Sequence, residues 1–438
     1  MIKNRTAILA LLTGLNLLNY IDRYVVAAVL KAMQAPVAEG GLDLSNLEGG
    51  LLASAFMVGY FATAPLFGAR ADKGARKGLI AFGVGVWSIA TFATGLAHSF
   101  PQMIAARVVV GVGEASYATL APTIIDDITP PEQKNRALAI FYLAIPVGSA
   151  LGYLVGGTIL DLYGWRYAYF ITGGPGIVLA LTCLAIAEPP RKLREATGKL
   201  LDAMRTMLKL PLFRRDVLGY CMYTWAIGAF AYWAPKYLAE TYAPTLGVVI
   251  DHGLAHFVIN TAGTLTAAKA ATYFGAVTVI GGAVGTIIGG RWADRALRAV
   301  PQATADLPWD AAPIKQGTNA LLGVCAKSMV IATPLVVLVF LAPTATTFFA
   351  FALCAEIFLF LSTSPVNAIG LRAVPPELRA SAMAGMIFSI HLFGDLWSPT
   401  VLGLLNDLFV PMIAMMAVPL VFAWSAYTWW PREREAAS

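Results

Sequence analysis

Long apolar runs separated by short polar breaks dominate the chain. Runs at about 6–31, 46–68, 78–99, 102–129, 137–160 and 167–187 precede a polar connector, and runs at about 216–239, 267–290, 318–341, 345–371, 380–405 and 411–430 follow it. Each is close to the roughly 20 apolar residues that a lipid-spanning helix needs. The pattern predicts an all-α membrane protein with twelve transmembrane helices in two pseudo-symmetric six-helix bundles. Residues 1–187 form the first bundle, 188–215 a cytoplasmic linker, and 216–438 the second. Within the linker, Leu200, Leu201, Met204, Met207 and Leu208 share one helical face opposite Lys199, Asp202, Arg205 and Lys209. That face predicts an amphipathic helix lying in the plane of the interface, or else a short solvated one. The stretch 240–266 has only short apolar pieces and reads as an ordered external loop.

Composition agrees with the pattern. The 438 residues are 58% hydrophobic and 13% charged, with a mean hydropathy of +0.69, which excludes an ordinary soluble protein. The net charge of +6 does not point to nucleic acid, because the basic residues follow the membrane topology. With the N-terminus in the cytoplasm, 24 of the 31 Lys and Arg residues fall on the cytoplasmic side; Lys31, Arg166, Lys236 and Lys269 lie opposite, and Arg23, Arg107 and Lys327 lie within helices. This bias predicts cytoplasmic termini. Lys3 and Arg5 before the first run resemble a secretory signal, but the run is long, carries Asp22 and Arg23 and lacks a small-residue cleavage site, so a retained helix is expected. The sequon at Asn4 would then be cytoplasmic and inert. Cys183, Cys221, Cys325 and Cys354 all lie in apolar runs without C-x-x-C spacing, which argues for packing rather than a disulfide framework or zinc. No cofactor is expected.

The chemistry concentrates in the first span. An ionisable group near the centre of a span costs about 2.5–3.5 kcal/mol on insertion scales, and Asp22 and Arg23 are adjacent. On a helical wheel Asn16, Asn19, Tyr20 and Arg23 share a face, while Asp22 points about 100° away, toward another helix. In the fourth span Arg107, Gly111, Glu114 and Ala118 share a face. At 1.5 Å per residue, Arg23 lies roughly 25 Å above the start of its helix and Glu114 roughly 22 Å above the end of its own, so neighbouring helices would bring them together. Burial disfavours a carboxylate and a nearby cation favours it, which makes Asp22 and Glu114 candidate proton carriers. A static salt bridge is the competing account.

The second half is poorer in charge. Glu356 lies in the tenth span, and His391 and Asp395, four apart in the eleventh, share a face. They have no evident third metal ligand, so a polar pair lining a cavity is expected. Trp225, with Tyr223, Tyr232 and Trp233, offers aromatic surface for an apolar substrate or simply for packing. Glycines recur every fourth residue at Gly148, Gly152 and Gly156 and again at Gly281, Gly285 and Gly289, which predicts close helix packing.

Two signatures repeat one half-chain apart. Gly68 to Arg76 and Gly290 to Arg298 both carry an Ala-Asp-[Lys/Arg] core followed by arginine, and Pro-Pro-Glu recurs at 130–132 and 375–377. This arrangement resembles the major facilitator superfamily. The resemblance implies a cytoplasmic gate at Asp72, Arg76, Asp294 and Arg298. Asn19-Tyr20-Ile21-Asp22-Arg23 with Gly111-Val112-Gly113-Glu114-Ala115, and the stretches 116–123 and 140–149, are similar to the spinster branch. That likeness implies a bacterial inner-membrane transporter for lysophospholipids or phosphorylated sphingoid lipids, with Asp22 and Glu114 as proton-linked acids. Arg23, Asn19, Tyr20, Arg107, Tyr117, Trp225, Glu356, His391 and Asp395 are the candidate substrate-binding or charge-relay residues. The expected partners are an amphipathic substrate, protons and the bilayer, with the protein a monomer. An organic-anion or drug permease, a non-transporting lipid sensor and an intramembrane enzyme are the alternatives.

Overall fold

The computed structural model describes residues 2–71, 76–130, 133–187, 200–242, 266–301 and 307–432. Asp72, residues 188–199 of the linker and residues 243–265 of the stretch read as an external loop lie outside the described residues. The first half comprises α1 (Arg5–Met33), α2 (Asn46–Ala71), α3 (Arg76–Gly95), α4 (Phe100–Ile128), α5 (Lys134–Tyr163) and α6 (Trp165–Leu184). After α7 (Leu200–Met207) come α8 (Pro211–Tyr242), α9 (Ala267–Arg298), α10 (Ala312–Phe340), α11 (Ala345–Phe360), α12 (Thr363–Arg372), α13 (Arg379–Ile390), α14 (Ser398–Leu408), α15 (Pro411–Met415) and α16 (Ala417–Trp429).

The helix ends follow local chemistry. The Asn4 side chain caps α1 by accepting from Thr6 N and Ala7 N. Thr344 and Thr347 form a reciprocal capping box at the start of α11. Gly164, at φ +89°, makes the one-residue break between α5 and α6 that a side chain would strain.

Among the described residues, ten helical stretches are long and apolar enough to cross a membrane. The more polar α1 and α8, at 29 and 32 residues, are packed into the same bundle. Leu66, Phe82, Leu162, Val178, Leu181, Leu420 and Trp424 stay exposed, as expected where the solvent is lipid.

Glycine rows set the closest contacts. A Cβ on Gly148, Gly152 or Gly156 of α5 would stand 2.7–2.8 Å from α1 atoms of Leu17, Tyr20, Tyr24 or Ala28. Gly281, Gly285 and Gly289 of α9 meet α11 and the turn after it in the same way. The halves pack along α5 with α9 and α2 with α14.

Two elements differ from the sequence expectation. Helix α8 begins at Pro211, inside the stretch read as linker. Phe213 is buried there, and Arg215 Nε donates to the Thr428 carbonyl oxygen at 3.2 Å, which ties this turn to the second half. On α7, Met204 packs over Gly385 of α13 and Met207 is fully buried, so this part of the apolar face lies against the second half, while Leu208 just beyond it stays exposed.

Candidate functional site

Because α1 runs between α5, α6 and α4, its polar residues leave the helix in different directions. Arg23 donates from Nε and Nη2 to Oε2 of Glu114 at 3.0 and 2.8 Å. The acid is fully buried, while 18% of the arginine side chain stays accessible. The guanidinium carbon also lies 4.7, 5.0 and 5.8 Å from the ring centres of Phe56, Tyr20 and Tyr60. Those rings offset part of the lost hydration of the cation.

Asp22 points to α3. Its Oδ2 accepts from Trp87 Nε1 at 2.6 Å and Thr91 Oγ1 at 3.3 Å. The other oxygen of each acid, Asp22 Oδ1 and Glu114 Oε1, is buried without a hydrogen-bond partner among the described residues. A bare buried carboxylate oxygen is costly, and a proton placed on it removes the charge.

An aromatic bridge links this charge cluster to the second half. Tyr60 stands edge-on to Phe61 at 5.7 Å, and Phe61 lies 5.5 Å from Phe388 and 6.3 Å from the His391 ring. His391 Nδ1 is 2.9 Å from Asp395 Oδ2 within a π-helical turn, His391–Asp395, between α13 and α14. The two side chains are about one quarter accessible. His391 thus reaches toward the charge cluster through Phe61 and Tyr60, and both it and Asp395 keep an accessibility like that of Arg23.

The end of the bundle where α1 ends and α2 begins is sealed. Tyr232 donates to the Gly49 carbonyl oxygen at 2.6 Å, Lys31 to the Ala239 carbonyl oxygen at 3.3 Å, and Lys236 to Asn46. Asp407 near the end of α14 accepts from the backbone N–H groups of Asn46 and Leu47 at 3.0 and 2.8 Å. A single buried apolar cluster runs from Val25, Leu30 and Met33 of α1 into Phe230, Trp233 and Tyr237 of α8.

Comparison with known proteins places this architecture. The Major Facilitator Superfamily model matches residues 12–394. Protein spinster of Drosophila melanogaster is 31% identical over 400 residues, spanning 90% of this chain and 60% of the fly protein. The probable sphingolipid transporter spinster homolog 2 of Arabidopsis thaliana is 30% identical over 428 residues, spanning 90% of this chain and 79% of the plant protein. The chain belongs to the spinster family of the major facilitator superfamily. A bacterial homologue of the human lysosomal transporter spinster, in an inward-facing and unoccupied conformation, has the same fold. Its TM-score is 0.78 at 23% identity, over 100% of this chain and 98% of the other. This spinster chain is thus a multi-pass membrane transporter and not an enzyme.

Not every candidate residue of the spinster chain joins the cluster. Asn19 is buried beside Arg23 on α1, with its Nδ2 unpartnered among the described residues. Arg107 is buried under Phe56 and donates weakly to the Leu52 carbonyl oxygen at 3.5 Å. Tyr117 stands apart, fully buried between Trp87 and Phe141 and donating to the Leu12 carbonyl oxygen. Trp225 is half-buried where α8 meets Gly394. Glu356 lies inside the second half, accepting from Thr278 Oγ1 at 2.9 Å, and Oε2 faces Gly281. Of the gate positions, Arg76 pairs with Asp127 at 2.6 Å within the first half, and Asp294 and Arg298 are exposed.

Sequence reasoning missed the spinster chain's Trp87, Thr91, Phe61 and Asp407. Trp87 and Thr91, four apart on one face of an apolar helix, were the available signal for a buried polar contact. Asp407 carried none beyond being an acid at a helix end.

Proposed function

We propose that this protein is a proton-coupled secondary transporter that carries an amphipathic, lipid-like substrate of the lysophospholipid or sphingoid-phosphate type by alternating access. Twelve spans, cytoplasmic termini, a monomeric state and a bacterial inner membrane complete the reading. The positive-inside bias and the length of α1 and α8 support the topology, and the name of the plant relative supports the substrate class.

The observation that carries the proposal is the position of Arg23. It is at once the partner of a fully buried acid and the member of the pair that stays partly accessible, beside the rings of Tyr60 and Phe61 that lead to the second half. An anionic headgroup entering between the halves competes with Glu114 for the guanidinium, and a proton on Glu114 releases it. Substrate binding and protonation are then linked through one cation. Asp22, one residue away, is a second proton site, and Asp72, Arg76, Asp294 and Arg298 close the cytoplasmic side in the other half of the cycle. Tyr20, Tyr60 and Phe61 supply apolar and aromatic surface suited to an acyl chain beside a phosphate.

The test is ligand-driven proton movement in sealed proteoliposomes. Lysophospholipids or sphingoid phosphates drive proton flux, hexuronates do not, and Glu114→Gln and Asp22→Asn abolish it in folded protein. Flux with hexuronates alone assigns an organic-anion permease instead. Amphiphile transport that survives both substitutions removes the proton-linked role of the two acids.

A further inference from the structure

Apart from Asp294 and Arg298, the polar groups described so far face the interior or the seal. One set faces outward. On α10, Gln316, Asn319, Gly323 and Lys327 fall at spacings of three and four and share a face, and on α9 Arg295 and Ala299 do the same. The two faces line an open groove of 820 Å³ between the helices, with Pro431 beyond α16 as a third wall.

Lys327 stands about 22 Å along α10 from Ala312, deep in a helix that is long and apolar enough to cross a membrane, and it is exposed. Arg295 is exposed as well, and neither has an ion-pair partner among the described residues. Snorkelling accounts for where the ammonium goes, because the lysine stem lies along apolar wall while the charge moves toward the rim. It does not account for a concave wall that also carries Arg295, Gln316 and Asn319. Asn319 Oδ1 already accepts from Arg432 N at 3.2 Å, which turns the amide so that its NH2 group remains a donor. The same helical stripes continue into exposed apolar residues, Val284 and Ile288 on α9 and Val330 and Ile331 on α10.

We infer that this groove binds an anionic phospholipid of the surrounding bilayer. Its phosphate lies between Arg295 and Lys327, Gln316 and Asn319 donate to the headgroup, and its acyl chains follow the apolar stripes. Two cations with no acid in the lining among the described residues fit a net negative headgroup, whereas a zwitterionic one brings its own cation into theirs. Assignment to the cytoplasmic leaflet rests on the orientation proposed above; the binding does not. The lipid is a bound annular partner and not the transported substrate, which enters between the halves.

Native mass spectrometry of the purified full chain, titrated with phosphatidylglycerol or phosphatidylcholine of identical acyl chains, tests the site. The wild type retains phosphatidylglycerol more tightly. Arg295→Gln with Lys327→Gln lowers that affinity by about thirtyfold, to the phosphatidylcholine level. Arg295→Lys with Lys327→Arg keeps the selectivity, and Arg70→Gln with Lys209→Gln, which removes the same charge elsewhere, leaves it intact. Equal affinity for the two lipids in the wild type, or an equal loss in the Arg70/Lys209 pair, overturns the proposal. Because the readout is lipid retention, a protein without proton flux but with this selectivity leaves the site standing, and the reverse result leaves the transport reading standing.

Discussion

The start of α2 accounts for all four backbone N–H groups that a helix leaves orphaned there. Ser45 N donates to Glu48 Oε2 at 2.9 Å and Glu48 N to Ser45 Oγ at 3.1 Å, both within the first half. Asn46 and Leu47 donate to Asp407, which belongs to the second. Half of this cap therefore exists only while the two halves touch at this end, the outer one in the orientation proposed above. Asp407→Ala removes it. Loss of an N-cap costs about 0.5–2 kcal/mol, and because Asp407 is exposed, solvent screening keeps the figure in that range rather than at the higher values of buried charged hydrogen bonds. The whole of that loss falls on the outer-closed form, so its ratio to the outer-open form drops by about 2- to 30-fold.

Spin labels at Val37 and Val410, both exposed near that end, read the change as a growing long-distance population. Cys354 must first be replaced, since it is the exposed native cysteine and the other three are buried. Glu48→Gln is the control: it weakens a contact between Glu48 and Ser45 inside the first half and leaves the distance distribution unchanged. An unchanged distribution in Asp407→Ala, or an equal shift in Glu48→Gln, would refute the claim that this cap helps hold the outer end shut.

Two further outcomes follow from the packing. Arg23→Leu leaves the Glu114 charge buried without its cation and lowers stability in detergent by about 3–5 kcal/mol, while Arg23→Leu with Glu114→Leu regains most of it; a double variant as unstable as the single one contradicts a buried ion pair. Gly152→Leu forces α5 off Tyr24 of α1 and costs about 1–3 kcal/mol in thermal unfolding, whereas the same change at Gly174, where a Cβ meets nothing within 4 Å, is tolerated.

The helices were legible because lipid imposes a length and a polarity that few other environments require, and the run boundaries lie near the observed helix ends. The Arg23–Glu114 contact was legible for a related reason: charges are rare enough in apolar helices that their depth, read from a fixed rise per residue, limits their partners. The donors to Asp22 were not. An indole N–H carries no charge and sits in a residue that also packs as an apolar side chain, so Trp87 looked like any other member of an apolar face. The Asp407 cap was hidden because its two ends are some 360 residues apart in sequence. Helix α8 extends back to Pro211, and α7 packs inward, because Phe213, Arg215 and Met204 find partners in the second half that local hydropathy does not encode.

The 100° between Asp22 and Arg23 gives two adjacent residues different mechanical situations. Both donors to Asp22 come from α3, which packs on α4 and α6 within the first half, so a rigid rocking of one half against the other leaves its surroundings intact. Arg23 holds an acid of the first half with its guanidinium while its open face looks, through Tyr60 and Phe61, onto His391 of the second. Rocking changes what lies on that open face and hence how strongly the cation is shared. In the proposed cycle, Glu114 is therefore the acid whose protonation reports the position of the halves, and Asp22 is the one whose protonation is set by fixed neighbours. The charge pattern of the first span alone could not assign these separate roles, because it gives the direction of each side chain but not whether the element it reaches moves with α1 or against it.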